Sequence, residues 1–290
     1  MKTMGIVSAL VLVLAACSNG GESTSASTDK AEENRAAGAS LADVIAHERR
    51  DENRARDEWR HPLETLSFFE IEPDMTIVEV LPGNGGWYTQ ILTPFTAEQG
   101  RMIGVTYPNS LWIQMFSSWN PDNYERFGAD ITQMGRYMSI QGIESTQPIV
   151  GYTIGNIPDE ENGQADAVLF IRAMHHLFRF EEPLVDTALS EAFDVLAPGG
   201  VVGVVQHRAP EDGGFANGDK GYLRQSDVVA AFERAGFVLE EASEINANPN
   251  DPVDGVVWRL PPSTTDNPDT LAIGESDRMT LRFRKPENEL

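Results

Sequence analysis

Short apolar runs of strand length recur along the chain, and segments with helical spacing lie between them. The runs occupy residues 77–81, 100–107, 147–154, 166–171, 201–205, 237 onward and 279–283. Continuous apolar runs of this length are typical of strands buried on both faces of a parallel sheet. The intervening segments at residues 87–95, 181–196 and 226–235 have helical patterns. The alternation predicts an α/β domain built on one sheet.

A charged, helical segment precedes the first strand. Residues 41–59 show helical spacing among dense charges, and Pro62 then ends that segment and suits the first turn of a new helix. The bend between the two helices collects His61 and Glu64 next to other charged residues. We expect members of this cluster to line a pocket and bind substrate. The alternative is a set of surface salt bridges.

A glycine-rich turn follows the first strand. Gly83, Gly85 and Gly86 come directly after the apolar run and before a helical segment. Glycines allow a ligand to lie against bare backbone amides at the carboxyl end of a strand, next to a helix N-terminus. The turn therefore predicts a site for a nucleotide-like cofactor.

Composition narrows the classes of partner. The chain has 290 residues, 41% of them hydrophobic, and a formal net charge of −23. One large core fits this length, so we predict a single folded domain over residues 41–290, with N-terminal helices at 41–72. Carboxylates outnumber the basic groups that nucleic acid or an anionic membrane would require. A small-molecule substrate fits better, and the sequence leaves the oligomeric state open.

The N-terminus has the pattern of an export signal. Lys2 precedes an apolar run at residues 6–14 that is too short to span a bilayer. The run ends in Leu14-Ala-Ala-Cys17, which resembles the lipobox of bacterial lipoproteins. The resemblance implies a signal peptide over residues 1–17 and a lipid on Cys17. An ordinary cleaved signal with an incidental cysteine is the alternative.

This resemblance also implies a location. Ser18, rather than aspartate, follows the cysteine, as in outer-membrane lipoproteins, and residues 18–40 are small and polar enough to form a flexible tether. We therefore predict a lipid-anchored protein of the cell envelope that faces the periplasm. It would contact the membrane only through the lipid on Cys17.

Four motifs occur in an order known from one enzyme family. They are Glu79-Val-Leu-Pro-Gly-Asn-Gly85, the run 166–177 ending in Met-His-His-Leu177, Leu196-Ala-Pro-Gly-Gly-Val201 and Ala235-Gly-Phe237. Together they resemble class I S-adenosylmethionine-dependent methyltransferases over about residues 62–285. Further runs, including Arg60-His-Pro-Leu-Glu64 and Val205-Gln-His-Arg-Ala-Pro210, look like an exported bacterial subgroup of predicted methyltransferases. A glycine turn alone would also suit a dinucleotide-binding domain.

The resemblance implies a Rossmann-like sheet of seven strands, mostly parallel, with the last strand antiparallel. It implies methyl transfer from S-adenosylmethionine to an unidentified small molecule. The residues implied to bind the cofactor are Glu79, Gly83, Gly85, Gly86, Thr106 and Asp166. Two features depart from the family: Leu81-Pro82 replaces a glycine of the turn, and Thr106 replaces an acid that holds the ribose.

Histidines supply the candidate base. His175 and His176 follow the fourth strand and His207 follows the fifth, so the ends of parallel strands bring them to one crevice. The pKa of histidine suits proton transfer near neutral pH. We predict His207 as the base, with Arg208 orienting an anionic group and His175 as a further catalytic residue. For His176, a packing role in the core is the alternative to a role as a base.

A loop-rich segment precedes the last strand. We predict that Asn246, Asn248 and Arg259 close over the pocket and bind substrate, although the same residues could simply form turns.

Two other functions stay open. His61, Glu64, His175 and His207 are of metal-ligand type and would bind zinc if they converged. A binding lipoprotein that keeps the scaffold without the cofactor is the remaining alternative.

Overall fold

One mostly parallel sheet forms the centre of the computed structural model, which describes residues 39–83, 86–120, 150–180, 184–213 and 217–287. The described strands are β1 Thr76–Val80, β2 Arg101–Thr106, β3 Val150–Thr153, β4 Ala165–Ile171, β5 Leu196–Ala209, β6 Leu223–Arg224, β7 Val238–Ser243 and β8 Arg278–Arg284. Their order is β3-β2-β1-β4-β5-β8-β7, and the short β6 pairs with β5. β8 runs antiparallel to both β5 and β7, while the other pairings are parallel.

Helices surround the sheet. The described α-helices are α1 Leu41–Ala46, α2 Asp57–Arg60, α3 Pro62–Phe68, α4 Thr89–Thr96, α5 Asn109–Met115, α6 Met174–Phe178, α7 Val185–Val195, α8 Gln225–Arg234 and α9 Pro268–Leu271. Short 3-10 helices lie at Glu48–Arg50, Arg54–Arg56, Asp159–Glu161 and Val257–Arg259. The described residues belong to one compact unit.

Side chains alternate between two cores, one on each face of the sheet. Val78 and Val80 of β1 belong to a cluster that includes residues of α5, α6, α7 and α8. Ile77 belongs to a second cluster, with residues of α1, α3 and α4. Burying a valine or isoleucine in this way stabilises the fold by about 1.5–3 kcal/mol. The two-residue period of the strands thus fixes which face each helix covers.

These observations confirm the predicted fold class, including the antiparallel last strand. The sheet has eight strands rather than seven because Leu223–Arg224 adds a two-residue pairing beside β5. The helical pattern of residues 41–59 is divided into four short pieces. It breaks because His47 has an extended backbone and its ring caps the next turn through the Arg49 amide.

Several N-terminal predictions lie outside the described residues. They are the signal peptide over 1–17, the lipid on Cys17 and nearly all of the tether over 18–40, of which only residues 39 and 40 are described. Across the described ranges, no helix is both long and apolar enough to cross a membrane.

Candidate functional site

A cavity of about 230 Å³ lies at the carboxyl ends of β1, β4 and β5. We call it the histidine cavity. Its lining residues are Leu81, Pro82, Gly83, Ile171, Arg172, His175, His176, His207, Val257, Trp258, Pro261, Pro262, Ser263, Glu275 and Ser276. In open α/β sheets, ligands bind at the carboxyl ends of the strands, at the point where the strand order reverses. The sheet therefore places this cavity where the fold normally holds its ligands.

Three buried histidines form one wall of the cavity. The ring of His175 lies 4.1 Å from that of His176 and 5.5 Å from that of His207, centroid to centroid. Trp258 stacks on His176 at 6.0 Å. The structure thus brings together the two histidines predicted to be catalytic, and His176 joins them.

All three histidines are neutral near pH 7. Burial lowers the pKa of His175 and of His207 well below the ordinary value, and neighbouring histidines and arginines lower both further. Burial, followed by the charge of Arg179, lowers the pKa of His176 to about 4. A neutral imidazole can accept a proton, which an imidazolium cannot.

Hydrogen bonds orient two of these rings. The His207 Nδ1 lies 2.5 Å from the Ser276 Oγ, and the His175 Nδ1 lies 3.3 Å from the side-chain nitrogen of Gln206. Gln206 is held in turn by donating to the Gly221 carbonyl. When the Ser276 Oγ accepts from Nδ1–H, the His207 Nε2 carries the lone pair and is the nitrogen available as a base.

An arginine and a carboxylate complete the polar wall. Arg172 directly follows β4, with its backbone in the left-handed region at φ 57°. Glu275 lies just before β8 and is the one carboxylate that lines the cavity among the described residues. Non-glycine residues with positive φ cost of order 1 kcal/mol and are enriched at functional sites. The turn at Arg172 is such a strained position.

The glycine turn borders the cavity through Leu81, Pro82 and Gly83. Leu81 has φ 56° and Gly83 has φ 71°, so Leu81 adopts the left-handed conformation that glycine would adopt more easily. A Cβ placed on Gly83 would meet only the Leu81 carbonyl oxygen, at 3.9 Å. Gly86 also has a positive φ, and Gly85 lies outside the described residues.

Glu79 supports this turn from inside the protein. Its carboxylate accepts a hydrogen bond of 2.6 Å from the Thr89 Oγ1, at the start of α4. Burial raises the pKa of Glu79 to about 7 despite that bond. The side chain therefore joins β1 to α4, and it does not line the histidine cavity.

Tyr107 spans the carboxyl end of β1. It follows β2, it is fully buried, and its hydroxyl donates to the backbone carbonyl of Ala173, which follows β4. Because β1 lies between β2 and β4, the side chain crosses above it. Thr106, the last residue of β2, is only partly buried at this edge of the sheet.

These residues allow a test of the fit for S-adenosylmethionine. At the turn, Gly83 allows close approach of a ligand, because a Cβ there would meet only the Leu81 carbonyl oxygen at 3.9 Å, whereas a Cβ on Gly86 would meet Thr89 at 3.0 Å. Tyr107 fills the crossing from β2 to β4, and Thr106 offers one side-chain hydroxyl at the end of β2. The open backbone at Gly83 therefore fits a cofactor at the turn, whereas the space beside β2 is filled by the buried Tyr107 side chain.

Asp166 is not near this site. Its carboxylate accepts from the backbone amide of Thr76 at 2.8 Å, and Thr76 is the first residue of β1. Asp166 therefore lies at the amino ends of β1 and β4, opposite the cavity. The prediction that it binds the cofactor is wrong, because only the carboxyl ends of these strands face the ligand crevice.

Arg208 points away from the histidine cavity. Its guanidinium donates to both carboxylate oxygens of Glu244 and to those of Asp277, at 2.7 to 3.1 Å. It lines a separate surface groove together with Asn248. The predicted role of orienting an anionic substrate in the cavity is not supported, because both edges of the guanidinium are already paired.

The polar residues of the loop-rich segment are also held within the protein. Asn246 donates to the hydroxyls of Thr65 and Thr280, Asn248 donates to the carbonyls of Ile273 and Glu275, and Arg259 donates to Asp254. None of these three residues lines the cavity. They fix the loop in place, and it is the neighbouring Trp258 that reaches the ligand space.

At the bend before β1, the residues predicted to bind substrate do not line the cavity, but a neighbouring arginine contacts one of its lining residues. His61 lies between α2 and α3 with φ 39°, Glu64 is exposed on α3, and neither lines the cavity. Arg60, one position earlier, reaches Glu275. Within the described part of the chain, no three His, Cys, Asp or Glu side chains are arranged to hold a metal ion.

Sequence reasoning missed four residues of the cavity. Arg172 follows a predicted strand directly, so the rule that selected His175 and His207 would have found it. Glu275, Ser276 and Trp258 belong to the loop-rich segment, where no strand end or motif marks them. Only the folded chain brings them to the histidines.

Comparison with solved structures relates this fold to methyltransferases. A SAM-dependent methyltransferase from Aquifex aeolicus aligns with 84% of this chain and 98% of its own at 13% identity, with a TM-score of 0.51. Geranyl diphosphate C-methyltransferase from Streptomyces coelicolor A3(2) aligns over 87% of each chain at 14% identity, also with a TM-score of 0.51. These neighbours confirm the Rossmann-like fold of class I methyltransferases.

The same comparison limits what the fold alone means. The [4+2]-cyclase SpnF aligns with 79% of this chain and 81% of its own at 15% identity, with a TM-score of 0.50. No protein-family model matches the sequence, and no curated protein matches it. The function must therefore be argued from the residues of the site.

Proposed function

We propose that this protein transfers a methyl group from S-adenosylmethionine to a small molecule held in the histidine cavity. The observation that carries the proposal is the position of the three neutral histidines beside the glycine turn, at the strand ends of a methyltransferase fold. The cofactor, when bound, supplies an electrophilic methyl group. Methyl transfer asks the protein mainly to align an acceptor, to take its proton and to exclude water.

The chain has residues for each of these tasks. Gly83 and the turn around it would hold the cofactor, and use of the Ala173 carbonyl would require Tyr107 to release it. The acceptor's proton would move to the Nε2 of His207, whose Nδ1 is held by Ser276. Trp258 stacks on His176 and supplies an apolar wall against which an acceptor would pack.

One observation favours a second candidate function. Tyr107 fills the crossing above β1, and a chain that kept it there would bind a small molecule without the cofactor. This is the cofactor-free envelope protein on a methyltransferase scaffold.

Calorimetric titration of the full chain with S-adenosylmethionine tests the proposal. We expect saturable binding, and we expect methyl-labelled cofactor to label a pool of small carboxylic acids and phosphate esters. His207→Gln should abolish labelling while cofactor binding persists, and His47→Gln, a change at an exposed histidine, should leave both unchanged. Absence of binding to both the native chain and Tyr107→Ala would overturn methyl transfer and leave the second candidate.

The proposed location is the bacterial envelope, with the protein anchored by a lipid on Cys17. The support is the Leu14-Ala-Ala-Cys17 run and the serine that follows it. We expect the native protein made in bacteria to incorporate a radiolabelled fatty acid and Cys17→Ala not to incorporate it. Equal labelling of both, or labelling of neither, would rule out a lipid on this residue.

A further inference from the structure

Four arginines surround a single carboxylate next to the histidine cavity. The Glu275 carboxylate accepts from the Nε of Arg56 at 3.1 Å, from the Nε of Arg60 at 3.0 Å and from the Nη1 of Arg278 at 2.9 Å. Arg172 lines the same cavity as Glu275. One negative charge thus faces four positive charges, in a molecule whose net charge is −23. The local charge is therefore positive, whereas the net charge of the whole protein is negative.

Several guanidinium nitrogens of this cluster have no hydrogen-bond partner within the described ranges. They are the Nη1 and Nη2 of Arg60 and the Nε of both Arg172 and Arg278. Arg60 is 1% exposed and Arg278 is 2% exposed, so solvent does not replace the missing partners. Buried donors without acceptors cost about 1–3 kcal/mol each, more for charged groups. An acceptor-rich ligand would recover part of that cost.

Packing accounts for only part of the arrangement. The Arg60 guanidinium lies over the ring of Trp87 at 4.7 Å from its centroid, which is a favourable cation–π contact. That contact places the charge against the ring face, but it offers no acceptor to the in-plane N–H groups. Arg172 makes no cation–π contact with any ring in the described ranges, and it borders open cavity space.

The electrostatic environment agrees with this geometry. Burial lowers the pKa of Arg172 to about 10, and Arg278 and Arg56 lower it further against the opposing charge of Glu275. Arg172 and Arg278 also contribute to the lowered pKa of His207. The cavity is therefore a region of positive potential in which an anion is stabilised and further protonation is not.

We propose that the histidine cavity binds a small organic oxyanion, a carboxylate or phosphate group, with Arg172 as the residue that contacts it. Arginine suits this role because its planar fork matches both groups and keeps its charge when partly buried. At about 230 Å³ the cavity admits only a small molecule. That this anion is the methyl acceptor rests on the proposed function, whereas anion binding itself does not.

Calorimetric titration of the full chain with inorganic phosphate and with acetate, without cofactor, tests the inference. We expect saturable binding of at least one probe and at least a tenfold weaker affinity in Arg172→Gln. Arg284→Gln is the matched control, since that arginine is paired with Glu70 and Glu240 at the far end of β8. Its affinity should stay within twofold of the native value.

Histidine NMR gives a second measurement that does not depend on a variant. The chain has five histidines, so their ring signals can be followed individually. Bound phosphate should raise the pKa of His175, His176 and His207, whereas the ring signals of the exposed His47 should stay in place when phosphate is added. Equal affinity in Arg172→Gln and native protein, or neither heat nor a histidine shift, would overturn the inference.

The outcomes also separate this inference from the methyltransferase proposal. Anion binding without any binding of S-adenosylmethionine would keep the oxyanion site and overturn methyl transfer. Cofactor binding without anion binding would keep methyl transfer and overturn the oxyanion site.

Discussion

Tyr107 is the residue on which cofactor access depends. Its hydroxyl donates to the Ala173 carbonyl, a backbone acceptor just after the carboxyl end of β4. A typical net hydrogen bond contributes about 0.5–1.5 kcal/mol. The fully buried ring also packs against Trp112 and His176, so displacing the side chain costs more than the hydrogen bond alone.

Replacing Tyr107 by phenylalanine should therefore tighten cofactor binding. We expect the Kd for S-adenosylmethionine, measured by calorimetry, to fall about fivefold, which corresponds to about 1 kcal/mol. Tyr152→Phe is the control, because that hydroxyl donates to Glu161 beside β3. An unchanged or weaker affinity in Tyr107→Phe would show that the hydroxyl does not restrict the cofactor.

Glu79 makes stability depend on pH. Its pKa is raised from 4.5 to about 7 by burial, so the folded state binds more protons than the unfolded state between these values. Stability should fall as pH rises through this window, by about 3 kcal/mol in total from this group. Glu79→Gln keeps an acceptor for Thr89 and removes the titration.

Urea unfolding from pH 4.5 to 8 measures this effect. The three histidines with lowered pKa contribute the opposite slope in both proteins, so the difference between native and variant isolates Glu79. Glu72→Gln, at an exposed turn, should show no such difference. Parallel curves for native protein and Glu79→Gln would contradict the prediction.

At the scale of elements, the bend between α2 and α3 orients the arginines of the site. His61 ends α2 and begins α3 in the left-handed conformation, with φ 39° and ψ 57°. Such a conformation costs a non-glycine residue about 1 kcal/mol. Arg56 and Arg60, on the segment that ends at this bend, both pair with Glu275.

Replacing His61 by glycine should relieve that strain and stabilise the protein by about 0.5–1 kcal/mol in urea unfolding. His47→Gly is the informative control. His47 has an ordinary extended backbone and its ring caps Arg49, so this change should destabilise. If His61→Gly instead weakens binding of phosphate or acetate, then His61 binds the ligand, as predicted from the sequence.

Elements were predictable to the extent that local pattern determines them. The strand runs at 166–171 and 279–283 fall within β4 and β8 because the core demands continuous apolar residues there. The helical spacing of residues 41–59 predicted one helical segment, which is broken at His47 by its extended backbone and its cap on the Arg49 amide, and Arg50 then bonds back to the Ile45 carbonyl. Asp166 lies near the amino end of β4, whereas ligands bind at the carboxyl ends. Its position at the start of the predicted strand 166–171 was enough to place it away from the cofactor.

On the scale of the whole molecule, Glu275 joins distant parts of the chain. It is 3% exposed, and its partners Arg56 and Arg60 lie 219 and 215 positions earlier in the sequence. No local sequence pattern predicts a contact over such a separation. The sequence therefore indicated the bend near His61, but it indicated neither Glu275 as the partner of the arginines nor the positive charge beside the cavity. Chain topology alone determines that these charges meet.

Glu275→Ala should cost about 3–5 kcal/mol of unfolding free energy, because it leaves Arg60 and Arg278 buried without their counter-charge. Glu244→Ala, which removes an exposed partner of Arg208, should cost about 0–1 kcal/mol. Both are measured by urea unfolding, with and without sodium formate. A formate ion can occupy the space of the lost carboxylate, so it should restore stability to Glu275→Ala more than to native protein. A loss no larger than that of Glu244→Ala would mean that the arginines are satisfied by solvent or by other partners. The ion pairs of Glu275 would then not stabilise the fold, and the arginines would not create positive potential in the cavity.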